Sequence, residues 1–152
     1  GSLGHGLSYG IGVAHGLNIK SIKAKVVVLV GDGECNEGSI WEAAMSASAI
    51  SPNNLTCIVD NNKLQSDGAT KDIINCNLLL DKWKAFGWKV IEIDGHNFSE
   101  INDAFNQKTE IPKLILAHTI KGKGITFMEG NNEWHHGRLT EKTFNEAMME
   151  LK

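Results

Sequence analysis

Four short apolar runs do most to limit what this chain can fold into. They are Lys25–Val30 (KVVVLV), Leu55–Val59, Lys89–Ile93 and Lys113–Ala117. Each has the length and the aliphatic, largely β-branched character of a strand rather than a helix. Helical spacing fills the intervals. Leu3, Leu7, Ile11, Ala14 and Leu17 recur ahead of the first run, and Ile40, Ala43, Ala44, Ala47 and Ala49 mark a helix over Glu37–Ile50. Leu78–Phe86 and Ser99–Phe105 supply two more helices, with Ser99 as the expected N-cap of the latter. Thr140 is placed to cap a final amphipathic helix ending near Leu151. Lys63–Asp72 reads as a polar loop with a turn at Asp67-Gly68. Strands alternating with helices at this spacing predict an α/β fold: a doubly wound, mainly parallel sheet flanked by helices. Because Lys25–Val30 is almost wholly apolar, that strand is expected to be buried on both faces.

Several functional classes drop out on composition. With 15 Lys and Arg against 18 Asp and Glu, the net charge of −3 argues against broad electrostatic binding of nucleic acid or an anionic membrane. No apolar run approaches the roughly 18 residues of a membrane helix, and no signal peptide is visible. Cys35, Cys57 and Cys76 are an odd set without metal-ligand spacing, so they read as reduced thiols of a cytoplasmic protein. The chain opens on Gly1 within a segment that reads as a native turn entering a helix, and a fragment or processed chain is expected. Residues 1–152 are read as a single domain.

Right-handed crossovers bring the carboxyl ends of all parallel strands to one edge, and ligands of such sheets bind there. Gly31-Asp32-Gly33-Glu34 follows the first strand, and Asn61-Asn62-Lys63-Leu64 follows the second. Asn62 lies 30 residues after Asp32, the length of one strand–helix–strand crossover. On neighbouring strands about 5 Å apart, both side chains can offer oxygen to one ion. A carboxylate, an amide oxygen and a backbone carbonyl suit magnesium or calcium, completed by water and phosphate oxygens. Gly33 admits a phosphate close to the backbone, and the following helix start favours an anion. Gly-Asp-Gly alone is commonly a turn, and Asn-Asn a turn or cap. It is their joint placement that reads as a metal–diphosphate site.

These residues also carry a family resemblance. Gly31-Asp32-Gly33, then 27 residues, then Asn61-Asn62, resembles the thiamine diphosphate signature. Four further runs narrow it: Glu37-Gly38-Ser39-Ile40-Trp41-Glu42-Ala43, Asn62-Lys63-Leu64-Gln65-Ser66-Asp67-Gly68, Lys121-Gly122-Lys123-Gly124-Ile125, and the opening Gly1-Ser2-Leu3-Gly4-His5-Gly6. With Trp134-His135, they are similar to transketolase over essentially the whole chain, as its diphosphate-binding half. The resemblance implies that Asp32, Asn62 and the carbonyl of Leu64 bind the metal, magnesium or calcium, and that Gly33 and Asn62 meet the cofactor diphosphate. Gly1, Ser2 and Leu3 would lie against the middle of thiamine diphosphate, and Lys121 and His135 would approach it. His135 and His136 are the candidate catalytic histidines. Counting from Gly124 selects His135, whereas anchoring on Gly137 selects His136.

The same resemblance implies transfer of a two-carbon glycolaldehyde unit from a ketose to an aldose, with sugar phosphates as substrates, in the pentose phosphate pathway. It also implies a partner domain or subunit that binds the pyrimidine ring and carries the activating glutamate. The segment is then N-terminally incomplete for the family, a homo- or hetero-oligomer is expected, and the chain alone should be inactive. The alternatives are deoxyxylulose-phosphate synthase, the α subunit of a 2-oxoacid dehydrogenase, a non-catalytic thiamine diphosphate-binding domain and a fold binding another phosphate ligand. Glu37 reads equally as an interface glutamate or a first-turn helix residue, and Lys121 has a plain reading as a solvated loop lysine. His5, His15, His96 and His118 read as structural, Trp41 and Trp83 as packing residues. Cys35 has no evident base partner.

Overall fold

All four apolar runs form strands, joined in one parallel sheet in the spatial order Val26–Gly31, Leu55–Asn61, Lys113–His118, Lys89–Asp94. The computed structural model describes residues 1–74 and 78–151, so Cys76 lies outside the described residues. The long strands are β1 (Val26–Gly31), β2 (Leu55–Asn61), β5 (Lys89–Asp94) and β6 (Lys113–His118). Two short ones, β3 (Leu64–Gln65) and β4 (Gly68–Ala69), form an antiparallel hairpin within the expected polar loop, turning through Ser66 and Asp67. The helices are α1 (Gly6–Ile19), α2 (Gly38–Ile50), α3 (Thr70–Ile73), α4 (Leu79–Ala85), α5 (Phe98–Asn106) and α6 (Glu141–Glu150). Single 3-10 turns occupy Glu34–Asn36 and Asn132–His135.

Alternation along the strands divides the core between the two faces of the sheet. Leu55, Cys57 and Val59 of β2 and Leu114 and Leu116 of β6 join the buried residues of α1, α2 and α4 on one side. Trp83 is fully buried there against Trp41 and Trp88, with ring centroids at 5.4 and 4.9 Å. On the other face Ile115 and Ala117 meet Ile93 and Ala104, with Ile101 and Phe105 of α5 packed on them. α1 lies close on β1 because Gly10 has no side chain. A Cβ there would fall 2.3 Å from Val28 Cγ2.

Four expectations need correction. β1 is not buried on both faces: Val27 and Leu29 are 50% and 67% exposed. β1 is an edge strand, and α5 covers the opposite half of the sheet. The N-cap of α5 is Asn97 rather than Ser99, because its Oδ1 accepts the N–H groups of Ser99 and Glu100 at 3.0 and 3.4 Å. Ala49 faces outward on α2. Leu3 precedes α1, whose buried stripe is Leu7, Gly10, Ile11 and Ala14. Thr140 does cap α6, exchanging hydrogen bonds with Thr143.

Lys113 is 4% exposed at the start of β6, and its ammonium donates to the carbonyls of Ala104, Phe105 and Gln107 at 2.8, 2.9 and 3.0 Å. A cation satisfying the orphan carbonyls of a helix end is favoured by their charge and by the helix dipole. The buried lysine therefore fastens α5 to the sheet.

Candidate metal–phosphate site

β1 and β2 are hydrogen-bonded neighbours with Gly31 opposite Asp60, so the two polar turns that follow them lie side by side. Asp32 is 2% exposed. Its Oδ1 accepts the N–H of Gly33 at 2.9 Å, and its Oδ2 accepts the N–H of Lys63 at 2.9 Å and the hydroxyl of Thr70 at 3.1 Å. Burial raises its pKa, against those three hydrogen bonds and the nearby charge of Lys63. All three donors are neutral groups. A buried carboxylate held this way keeps acceptor capacity that a divalent cation fits.

Asn62 is fixed at both ends of its amide. Nδ2 donates to Asp60 Oδ2 at 3.3 Å, while Oδ1 accepts the N–H of Leu64 at 2.9 Å. The other oxygen of Asp60 accepts the hydroxyl of Thr119. Asp32, Asn62 and Leu64 line one cavity, so a carboxylate and an amide, both hard oxygen groups, stand close together there. Gly33 has no room for a side chain, since a Cβ would lie 2.7 Å from Gln65 Cβ. The missing side chain is what lets Gln65 pack directly on this turn.

A cavity of about 480 Å³ opens over these groups, lined by Leu3, Asp32, Gly33, Glu34, Glu37, Asn62, Leu64, Gln65, Lys121 and His135 among others. His135 reaches it through the β3–β4 hairpin, because Asn132 Nδ2 donates to the carbonyl of Ser66 at 3.1 Å and docks the Asn132–His135 turn there. The ammonium of Lys121 lies 3.2 Å from His135 Nδ1. With Nδ1 accepting, the neutral ring carries its proton on Nε2. Desolvation, then Lys121, then His136 lower the His135 pKa, and Asp67 opposes them.

Seven of the residues selected from sequence therefore share one cavity: Leu3, Asp32, Gly33, Asn62, Leu64, Lys121 and His135. Gly1 and Ser2 stand in the exposed segment leading to Leu3, outside the lining. His136 is also outside it, set edge-on to His135 at 4.8 Å between centroids. His96 accepts the N–H of Ile120, and His118 joins Glu92 and Asn61 across β5, β6 and β2, so both serve the strand ends. The sequence gives no signal for Thr70, and Gln65 and Glu34 enter only as members of the quoted runs, with no role of their own.

Comparison with known proteins accords with this geometry. The family model "Transketolase, thiamine diphosphate binding domain" matches residues 1–151. One subunit of an apulose-4-phosphate transketolase from Phocaeicola vulgatus is 42% identical over 154 residues, covering 99% of this chain and 55% of that protein. Human transketolase is 39% identical over 99% of this chain and 24% of its own length. The chain thus spans about half the length of the Phocaeicola relative and about a quarter of the human protein. The crystal structure of a Campylobacter jejuni transketolase superposes with a TM-score of 0.85 at 28% identity, covering 98% of this chain and 24% of that one.

Proposed function

Because the chain belongs to the transketolase family, in its thiamine diphosphate-binding domain, we propose that it is the diphosphate- and metal-binding part of a transketolase. The observation that carries this reading is the meeting of Asp32, Asn62 and Leu64 over Gly33 in one cavity with Lys121 and His135. Asp32, the Asn62 amide oxygen and the Leu64 carbonyl hold a divalent cation, magnesium or calcium. Gly33 leaves the diphosphate its space. Lys121 adds positive charge in the lining of the cavity. Bound thiamine diphosphate supplies the carbanion chemistry for breaking and making the carbon–carbon bond.

His135 presents a neutral ring with its proton on Nε2, suited to donating a hydrogen bond to the diphosphate or to a substrate hydroxyl and to moving a proton near neutral pH. His136 stands behind it. Leu3 lines the cavity and, with Gly1 and Ser2 leading to it, would lie against the middle of the cofactor. The reaction is transfer of a two-carbon glycolaldehyde unit between sugar phosphates, as in the pentose phosphate pathway of the cytoplasm. Relatives that are themselves named as single subunits of transketolases support a need for a partner that contributes the pyrimidine-binding surface and the activating glutamate. Residues 1–152 are one domain. They act within a dimer or mixed oligomer and are inactive alone.

Calorimetric titration of thiamine diphosphate with the partner present, first with magnesium and then with EDTA, tests the reading. Magnesium-dependent binding that disappears in Asp32→Ala supports it. Binding indifferent to magnesium and to Asp32 overturns it in favour of another phosphate ligand.

A further inference from the structure

Glu34 ties the turn ahead of α1 to the end of β1, next to where α1 packs on that strand. Its Oε1 accepts the N–H of Gly4 at 2.8 Å, and its Oε2 accepts the N–H of Gly31 at 3.1 Å. The first belongs to the turn ahead of α1 and the second to the end of β1. Ser39, at the start of α2, grips the same turn from its other side by donating to the Gly4 carbonyl at 3.0 Å. The turn closes on itself where the His5 N–H donates to the Ser2 carbonyl at 3.1 Å. Gly4 has a φ of +83°, and a Cβ on it would lie 2.6 Å from Ser39 Oγ and 2.8 Å from Glu37 Cβ. The segment therefore fits its berth closely, while Leu3 within it remains open to the cavity.

The chemistry of the bridge is specific to a carboxylate. Each oxygen takes one backbone N–H, and hydrogen bonds to an ionised acceptor are the stronger kind. A glutamine offers one acceptor and turns its amide N–H₂ toward the second donor. Residues 1–5 form no part of a helix or strand, so their order depends on contacts of this sort. If they were free before the ligand arrived, the cost of ordering them would fall on binding.

We infer that Glu34 is a positioning residue that pre-orders the Gly1–Gly4 turn against the cavity and so strengthens thiamine diphosphate binding without touching the reacting atoms. The inference rests on the proposed function. The test uses the assembled enzyme, this domain with its pyrimidine-binding partner, as wild type, Glu34→Gln and Glu34→Ala. Thiamine diphosphate affinity is measured by calorimetry at fixed magnesium, kcat and the cofactor KM by assay, and amide exchange over residues 1–5 without cofactor. In Glu34→Gln the cofactor Kd and KM rise about tenfold, the size expected for losing one charge-assisted hydrogen bond. The accompanying change in kcat at saturating cofactor is much smaller. Exchange at Gly4 and His5 accelerates while β1 ahead of Gly31 and α2 keep their protection. An unchanged cofactor Kd in Glu34→Gln, or unchanged exchange at Gly4, overturns the inference. Should Glu34→Ala fail to fold, Glu34→Gln decides alone. A wild-type enzyme that does not bind thiamine diphosphate refutes the proposed function instead, which separates the two failures.

Discussion

The ammonium of Lys121 and Nδ1 of His135 lie 3.2 Å apart in the lining of the cavity. Desolvation, and after it the fixed positive charge of Lys121 that opposes protonation of the imidazole, hold the His135 pKa below the ordinary value of 6.5. In Lys121→Met the His135 pKa should rise toward that value, read from the pH titration of its ring proton signals. A folded-state pKa below the unfolded one gives stability that is present above pH 6.5 and lost as pH falls. Acidification should accordingly cost Lys121→Met less than wild type. Identical His135 titration in the two proteins would show that the contact has no electrostatic weight.

Asp32 carries a burial cost that a cation relieves. Its folded pKa is raised above the unfolded value of 3.8, so in the metal-free chain its contribution favours folding below that pH and is lost as pH rises through the folded pKa. Magnesium with thiamine diphosphate should therefore raise Tm more at neutral pH than near pH 4, where the proton competes for the carboxylate. Asp32→Asn should lose this magnesium-dependent increment. It should also cost about 1–3 kcal/mol of intrinsic stability, because an amide cannot accept from all three donors. An undiminished magnesium increment in Asp32→Asn would remove Asp32 from the metal site.

Replacing Lys113 with Met keeps most of the side-chain volume and removes the ammonium. Three carbonyls at the end of α5 then lose their donor. Urea denaturation should register a loss of about 2–4 kcal/mol, the range for a buried charge-assisted network at a helix end. A loss below about 0.5 kcal/mol would mean that water replaces the ammonium at no cost.

Two glycines of α1 should respond in opposite directions to the same substitution. Gly10→Ala drives a methyl group into Val28, 2.3 Å away, and should destabilise by about 1–3 kcal/mol. At Gly12 a methyl group would meet nothing within 4 Å, so Gly12→Ala should stabilise by up to about 1 kcal/mol through helix propensity alone. Thermal melts of the pair check this directly. A neutral Gly10→Ala would mean that α1 does not sit on β1 as described.

Much of the fold was legible from local pattern. The strands at Leu55 and Lys113 and the helix after Gly38 lie where periodicity put them, because in the middle of a sheet the apolar pattern and actual burial coincide. The reading of β1 went wrong for the converse reason. Val27 and Leu29 are as apolar as core residues, but whether a strand is central or at an edge depends on its neighbours in space. At α5, Ser99 and Asn97 are both good caps, and only the backbone path at Asn97 chose between them. Within the candidate site, Asp32, Gly33 and Asn62 were readable because their spacing matches one crossover. Thr70 and Gln65 were not, since a two-residue hairpin and its return set their positions.

By itself the sequence determined the alternation of strands and helices and the two polar turns that follow the first two strands. These follow from residue type and short-range spacing, which a linear reading contains. Only the tertiary structure decided that β1 lies at an edge, that Lys113 is buried against α5, that His135 rather than His136 lines the cavity, and that Glu34 ties Gly4 to Gly31. Each of these depends on the direction of a side chain across a distance that chain connectivity does not constrain. Packing and hydrogen-bond satisfaction settle such directions once the whole chain is in place.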